Sequence, residues 1–276
     1  MLGRIAIDLT KDANHLRRLE TTLRLAKSHN AEVVGVYPSP EPTDYLRDGS
    51  LIPRELTQMM SSHLIQERDE VEALFHSKAT EFGVKATWRT PQGLAEEVLA
   101  LHARYCDMLV MSQNVKQTSS LRQSVAESVI TTAGRPILMV PYIGELSPIG
   151  SRILVSWDHG RRASRALADA DPILKNAKEI VLLTIDEKTH QLDDLDIHDS
   201  DIEAYFEAKG YAKPKRLRLD SADAGIGNTI LNAASDQGSD LIVMGAYNRS
   251  RIREWMLGGT SKTLLDSMTV PILFSH

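Results

Sequence analysis

Two stretches of this chain carry the same pieces in the same order. Arg152-Ile153-Leu154-Val155 repeats Arg4-Ile5-Ala6-Ile7, and residues 225–235 repeat 93–103. Asp240-Leu241-Ile242-Val243-Met244 repeats Asp107-Met108-Leu109-Val110-Met111, and Pro271-Ile272-Leu273 repeats Pro136-Ile137-Leu138. One match can arise by chance; a series in one order means a duplication. The separation falls from 148 residues at the first match to 135 at the last. The second half therefore lacks a long excursion of the kind at 41–60, which begins where Pro38, Pro40 and Pro42 break regular structure after the second strand.

Within each repeat, short apolar runs alternate with segments whose apolar residues recur every three to four positions. That pattern predicts strands at 5–9, 32–37, 84–89, 107–111 and 136–140, with helices over 16–30, 62–82, 93–104 and 124–132. The second repeat predicts strands at 152–155, 180–185, 215–219, 240–244 and 272–274, with helices over 160–174, 199–209, 225–235 and from 260. Strands alternating with helices form parallel sheets joined by right-handed crossovers. The expected fold is α/β: two tandem, doubly wound (Rossmann-like), five-stranded parallel-sheet domains, at 1–145 and 150–276. Gly144, Pro148 and Gly150 mark the join. Ligands of such sheets sit beyond the carboxyl ends of the strands, where strand order reverses.

The 276 residues are 42% hydrophobic and 25% charged, with a formal net charge of −5. That balance gives no reason to expect nucleic acid or an anionic membrane as partner. No apolar run is long enough to span a bilayer. Met1-Leu2-Gly3-Arg4 leads straight into a strand pattern, so no signal segment is expected. One cysteine, Cys106, allows no internal disulfide and fits a reducing cytoplasm. A nucleophile elbow, a Cys-x-x-Cys pair and a Walker pattern are all missing, so an enzyme is not expected. The segment 190–201 (HQLDDLDIHDSD) holds metal-capable side chains without a recognised ligand spacing. It reads as a solvated loop, with a divalent-ion site as the alternative.

The stretch with most chemical content is the last. An apolar strand, 241–244, ends at Gly245. A polar loop carrying Asn248 and Arg249 follows, then Gly258-Gly259-Thr260-Ser261 and a helical pattern. A helix start exposes unpaired N–H groups at the positive end of its dipole. Glycines admit a phosphate to the backbone, and Thr260 and Ser261 add hydroxyls. The alternative is a plain turn with Thr260 or Ser261 as the helix cap.

The spacing Gly245-x-x-Asn248, nine residues, then Gly258-Gly259-Thr260 resembles the nucleotide loop of universal stress proteins. Arg249-Ser250 after Asn248 and the Val270-Pro271-Ile272-Leu273 ending resemble the family too. Two positions depart: Asn248 stands for a second glycine, and Gly259 holds the hydroxyl position, with Thr260 one residue late. The resemblance implies a cytoplasmic stress-response protein binding ATP or AMP, with Mg²⁺, in its second domain. It implies that Asp158 accepts hydrogen bonds from ribose hydroxyls, and that Ile185 packs against adenine. Asp158 as a helix-entry cap and Ile185 as ordinary core are the alternatives. Arg249 could pair with phosphates or simply face solvent. The family also places its fifth strand at an edge against a partner domain, so strands near 136–140 and 271–275 could pair within the chain; a homodimer stays open.

In the first repeat the equivalent loop, 112–124, has no glycine. Every residue there has a Cβ to obstruct phosphate. Asp8 is read as the counterpart of Asp158, but no nucleotide is expected to bind in the same manner. Besides nucleotide binding, the fold allows a nucleotide-free interaction module and a slow ATP hydrolase.

Overall fold

The computed structural model describes residues 1–39, 54–113, 120–144, 148–186, 196–222, 224–246 and 259–276. The chain divides into two compact units. One comprises Leu2–Ser112 and Ser119–Arg135, the other Pro136–His276 with Met1 and Gln113–Thr118.

The first unit contains strands β1 (Arg4–Asp8), β2 (Glu32–Val36), β3 (Ala86–Arg89) and β4 (Met108–Ser112). They run parallel in the order β3-β2-β1-β4. Ile5, Ala6 and Ile7 are all fully buried, as a strand covered on both faces requires. Helix α1 (His15–His29) buries Leu19, Leu23 and Ala26 and stops at Asn30, whose φ of 54° is left-handed. Helix α2 (Arg54–Phe82) packs Phe75 against β2 at Gly35, where a Cβ would lie 2.9 Å from the Phe75 ring. The helix thus begins well before residue 62, so the last residues of the 41–60 excursion are helical. Tyr45, Leu51 and Ile52 lie outside the described residues. Helices α3 (Ala95–Ala103) and α4 (Ser120–Thr132) complete the unit.

The second unit orders its strands β5-β10-β9-β6-β7-β8. These are β5 (Ile137–Val140), β6 (Arg152–Ser156), β7 (Glu179–Ile185), β8 (Lys215–Leu219), β9 (Leu241–Gly245) and β10 (Ile272–Ser275). β6 to β10 run parallel. β5 runs antiparallel to β10, with Met139 level with Ile272 and Ile137 level with Phe274. The last strand of the first repeat therefore sits in the sheet of the second unit, and the apolar edge of β10 is covered. The helix expected over 160–174 is two, α5 (Arg161–Asp169) and α6 (Asp171–Leu174). Pro172 causes the break: it lacks an N–H and fits only the first turn of a new helix. Helices α7 (Asp199–Lys209), α8 (Gly225–Asp236) and α9 (Gly259–Ser267) follow.

The repeated aspartates have a repeated task. Asp107 accepts the N–H groups of Gly3 and Arg4 at 2.6 and 2.9 Å. Asp240 accepts those of Gly150, Ser151 and Arg152 at 2.8, 3.0 and 2.9 Å. Each carboxylate ties the start of its own strand to the start of the strand across the order reversal.

Candidate functional site

Strand order in the second unit reverses between β6 and β9. The chain first steps outward from β6 to β7 to β8, then returns to the other side of β6. Val155 is level with Val243. Continuing that register two residues brings Trp157 level with Gly245, with Asp158 just beyond. So two predicted site residues, Asp158 and Gly245, flank the crevice where this fold class binds ligands.

Asp158 is exposed and braces the turn into α5. Its Oδ1 accepts the N–H of Gly160 at 2.8 Å, a short Asx-type bond. A Cβ at Gly160 would lie 2.7 Å from that oxygen, so a side chain there would make the Asp158 carboxylate shift. The helix cap is Gly160 itself, with no side-chain cap bond, so Asp158 does not cap α5. His159, between them, takes a φ of 56° and receives the Trp157 Nε1–H at Nδ1, 3.3 Å away.

Gly245 has a steric duty that its sequence does not reveal. A Cβ there would stand 2.5 Å from Cβ of Arg162, 2.6 Å from its carbonyl carbon and 2.8 Å from the nitrogen of Ala163. The first turn of α5 thus lies directly on the end of β9. Arg162 extends from that turn to His276, with Nη2 3.1 Å from Nε2. Neither Arg162 nor His276 carries a motif that marks it; only the close helix–strand approach brings them to the site.

Helix α9 packs against α8 and lies in the chain between the parallel strands β9 and β10, so a crossover of this kind starts its helix at the carboxyl ends of the strands. Gly259 is exposed, and among the described residues a Cβ there would meet nothing within 4 Å. Thr260 is half-buried, whereas Ser261 is only 3% exposed and faces inward. Gly259 and Thr260 are therefore the residues that present the helix start. Ile185 closes β7, half-buried, on the sheet face opposite Leu182 and Thr184. The next residue, Asp186, binds the N–H and hydroxyl of Ser221 at 2.8 and 2.6 Å, and those bonds hold its carboxyl below the usual range. Asn248, Arg249 and Gly258 lie outside the described residues.

The equivalent crevice of the first unit is filled from within. Arg18 of α1 is 1% exposed. Its Nη1 donates to Ser112 Oγ at 2.7 Å and to Asp12 Oδ2 at 3.0 Å, and its Nη2 to the Thr10 carbonyl at 2.6 Å. Its Nε donates to the carbonyl of Asp8. At the 148-residue offset, Arg18 corresponds to Ala166, and Asp158 corresponds to Thr10 rather than Asp8. This corrects the reading of Asp8, which ends β1 and spends its Oδ1 on the N–H and hydroxyl of Thr10 at 2.9 and 2.6 Å. Cys106 is buried, and burial pushes its thiol up, away from reactivity.

Among the described residues no helix is long and apolar enough to cross a membrane. Nor, among them, does any group of three or more His, Cys, Asp or Glu stand ready to hold a metal ion. Residues 190–195 of the acidic segment lie outside the described residues.

Fold and repeat together define a duplicated, doubly wound α/β protein. The chain belongs to the universal stress protein family, whose model matches residues 4–141 and again 151–276. A universal stress protein from Archaeoglobus fulgidus DSM 4304 is similar over 98% of this chain and 97% of its own, with a TM-score of 0.74 at 18% identity. A candidate universal stress protein from Pseudomonas aeruginosa UCBPP-PA14 is similar over 99% and 93%, with a TM-score of 0.58 at 13% identity. A functionally unknown protein from Pseudomonas aeruginosa PAO1 covers 99% and 92%, also at 0.58, with 14% identity. At these identities the likeness is one of fold. No curated protein matches the chain.

Proposed function

We propose that this is a cytoplasmic regulatory protein of the stress response, and that its second domain, residues 150–276, binds an adenine nucleotide. ATP or AMP is the ligand, with Mg²⁺ accompanying ATP. The observation that carries this reading is the start of α9. Among the described residues Gly259 meets no neighbour at a helix N-terminus, at the end of the sheet where Asp158 and Gly245 flank the order reversal. In this reading Gly259, Thr260 and the loop residues Asn248, Arg249 and Gly258 hold the phosphates. Asp158 takes the ribose and Ile185 the adenine edge, while Ser261, being buried, supports the helix start. The first domain, residues 1–145, holds no nucleotide in this manner, because Arg18 occupies its crevice.

A nucleotide-free interaction module is favoured by one observation. The backbone of α5 already fills the space at Gly245 that an approaching ligand would use. Denaturing freshly purified protein and separating what it releases distinguishes the two. Adenine nucleotide in stoichiometric amount supports binding; its absence, with none taken up afterwards, supports the module. Added ATP with Mg²⁺ should yield no phosphate, and sustained release would support a slow hydrolase instead.

A further inference from the structure

The second unit contains a cavity of about 230 Å³ on the sheet face opposite Ile185. Leu182 and Thr184 form its floor from one side of β7. Leu167 of α5, Trp157 after β6, and Ile202 and Tyr205 of α7 form its walls. We propose that this cavity binds a small, uncharged aromatic molecule of one or two fused rings bearing an N–H or hydroxyl on its edge. The cavity opens on the sheet face opposite Ile185 and meets the crevice between β6 and β9 only at Trp157 and His159, either side of Asp158.

Three features select that class. The first is wall chemistry: aliphatic side chains alternate with the rings of Trp157 and Tyr205 and the imidazoles of His159 and His198. Ring edges and faces favour another ring over water or an alkyl chain. The wall is also set in advance, since Trp157 is held by its bond to His159, so little order is lost on binding. The second is charge. Asp199 is engaged by Arg216 and by Arg218, the latter at 2.6 Å. Asp201 accepts the N–H of His198 at 2.6 Å, at the positive end of α7. The charges at the rim are thus already answered, and a charged ligand would have to break one of these pairs. The third is size and polarity. An apolar cavity of about 150 Å³ holds a benzene ring, so the present one accepts a somewhat larger ring system. Thr184 is 6% exposed and brings a hydroxyl to the lining, which an edge donor can use.

The test is calorimetric titration of the full chain with indole as the probe. The parent should bind it saturably at one site. Ile202→Trp fills the cavity from a half-buried helix position and should weaken binding by about tenfold or abolish it. Thr184→Val keeps the shape, loses the hydroxyl, and should bind several-fold more weakly. Thermal melts establish that both variants are folded. Saturating ATP should leave the indole isotherm unchanged, whether or not ATP itself binds. Three results would overturn the proposal: no saturable binding by the folded parent, unaltered binding in both variants, or displacement of indole by ATP.

Discussion

The Arg18 guanidinium donates to the Ser112 hydroxyl at 2.7 Å, so the first helix reaches across the strand-order reversal of its unit and closes it. Both partners are buried, and the remaining donors of Arg18 meet two carbonyls and Asp12. Arg18→Ala would strand those acceptors. It should destabilise the first unit by about 3–5 kcal/mol, read as a lower denaturant midpoint. Arg18→Lys should rescue little, because a single ammonium cannot reproduce a planar fork aimed at four acceptors. A parent-like midpoint for Arg18→Ala would mean that the network contributes nothing.

The two glycines of the candidate site should respond in opposite ways. Gly245→Ala drives a Cβ into the backbone of α5, which cannot swing aside, and should cost about 1–3 kcal/mol. Gly259→Ala meets none of the described residues at its helix position and should be neutral or stabilising by up to about 1 kcal/mol. Paired thermal melts check both.

Asp240 and Asp107 make a graded pair. Asp240 accepts three N–H groups and Asp107 two. Asp240→Ala should therefore cost more than Asp107→Ala, by about 1.5–3 kcal/mol if the bonds to each carboxylate act independently. Equal losses would show that the third bond is idle.

Asp199 gives a pH signature. Burial pushes its carboxyl up, but the bonds from Arg216 and Arg218 outweigh burial and hold it below its ordinary value. A carboxyl depressed in the folded state stabilises above its unfolded value of about 3.9, and that contribution fades as pH falls through the lower folded value. Asp199→Asn should therefore lower the melting temperature at neutral pH and approach the parent in strong acid. A gap that does not narrow in acid would contradict the assignment.

Much of the fold is legible in the sequence, because strands buried on both faces and helices with one apolar stripe leave distinct periods. The exceptions have physical causes. Pro172 sits inside a continuous helical pattern, and only its missing N–H divides that pattern into α5 and α6. Arg18 lies in the buried stripe of α1, where a charged residue reads as solvent-facing until its four acceptors converge from β1, its following loop and β4. Asp8 mimics Asp158 because an acid happens to fall two residues early, at the end of the strand. In the candidate site the glycine spacing was readable, but the packing of Arg162 on Gly245 was not, since it depends on how closely α5 descends onto β9. The cavity draws its walls from α5, α7, β7 and the segment after β6, so no local pattern announces it.

The central claim is nucleotide binding at the start of α9, and titration calorimetry with ATP and Mg²⁺ tests it most directly, with Gly259→Asp beside the parent. A Cβ there meets none of the described residues and an aspartate suits a helix N-terminus, so the variant should fold while placing a negative charge where phosphate should lie. The account predicts micromolar binding by the parent, lost in Gly259→Asp at an unchanged melting temperature. A folded, nucleotide-free parent that takes up no ATP, or a variant that binds as tightly as the parent, would contradict it.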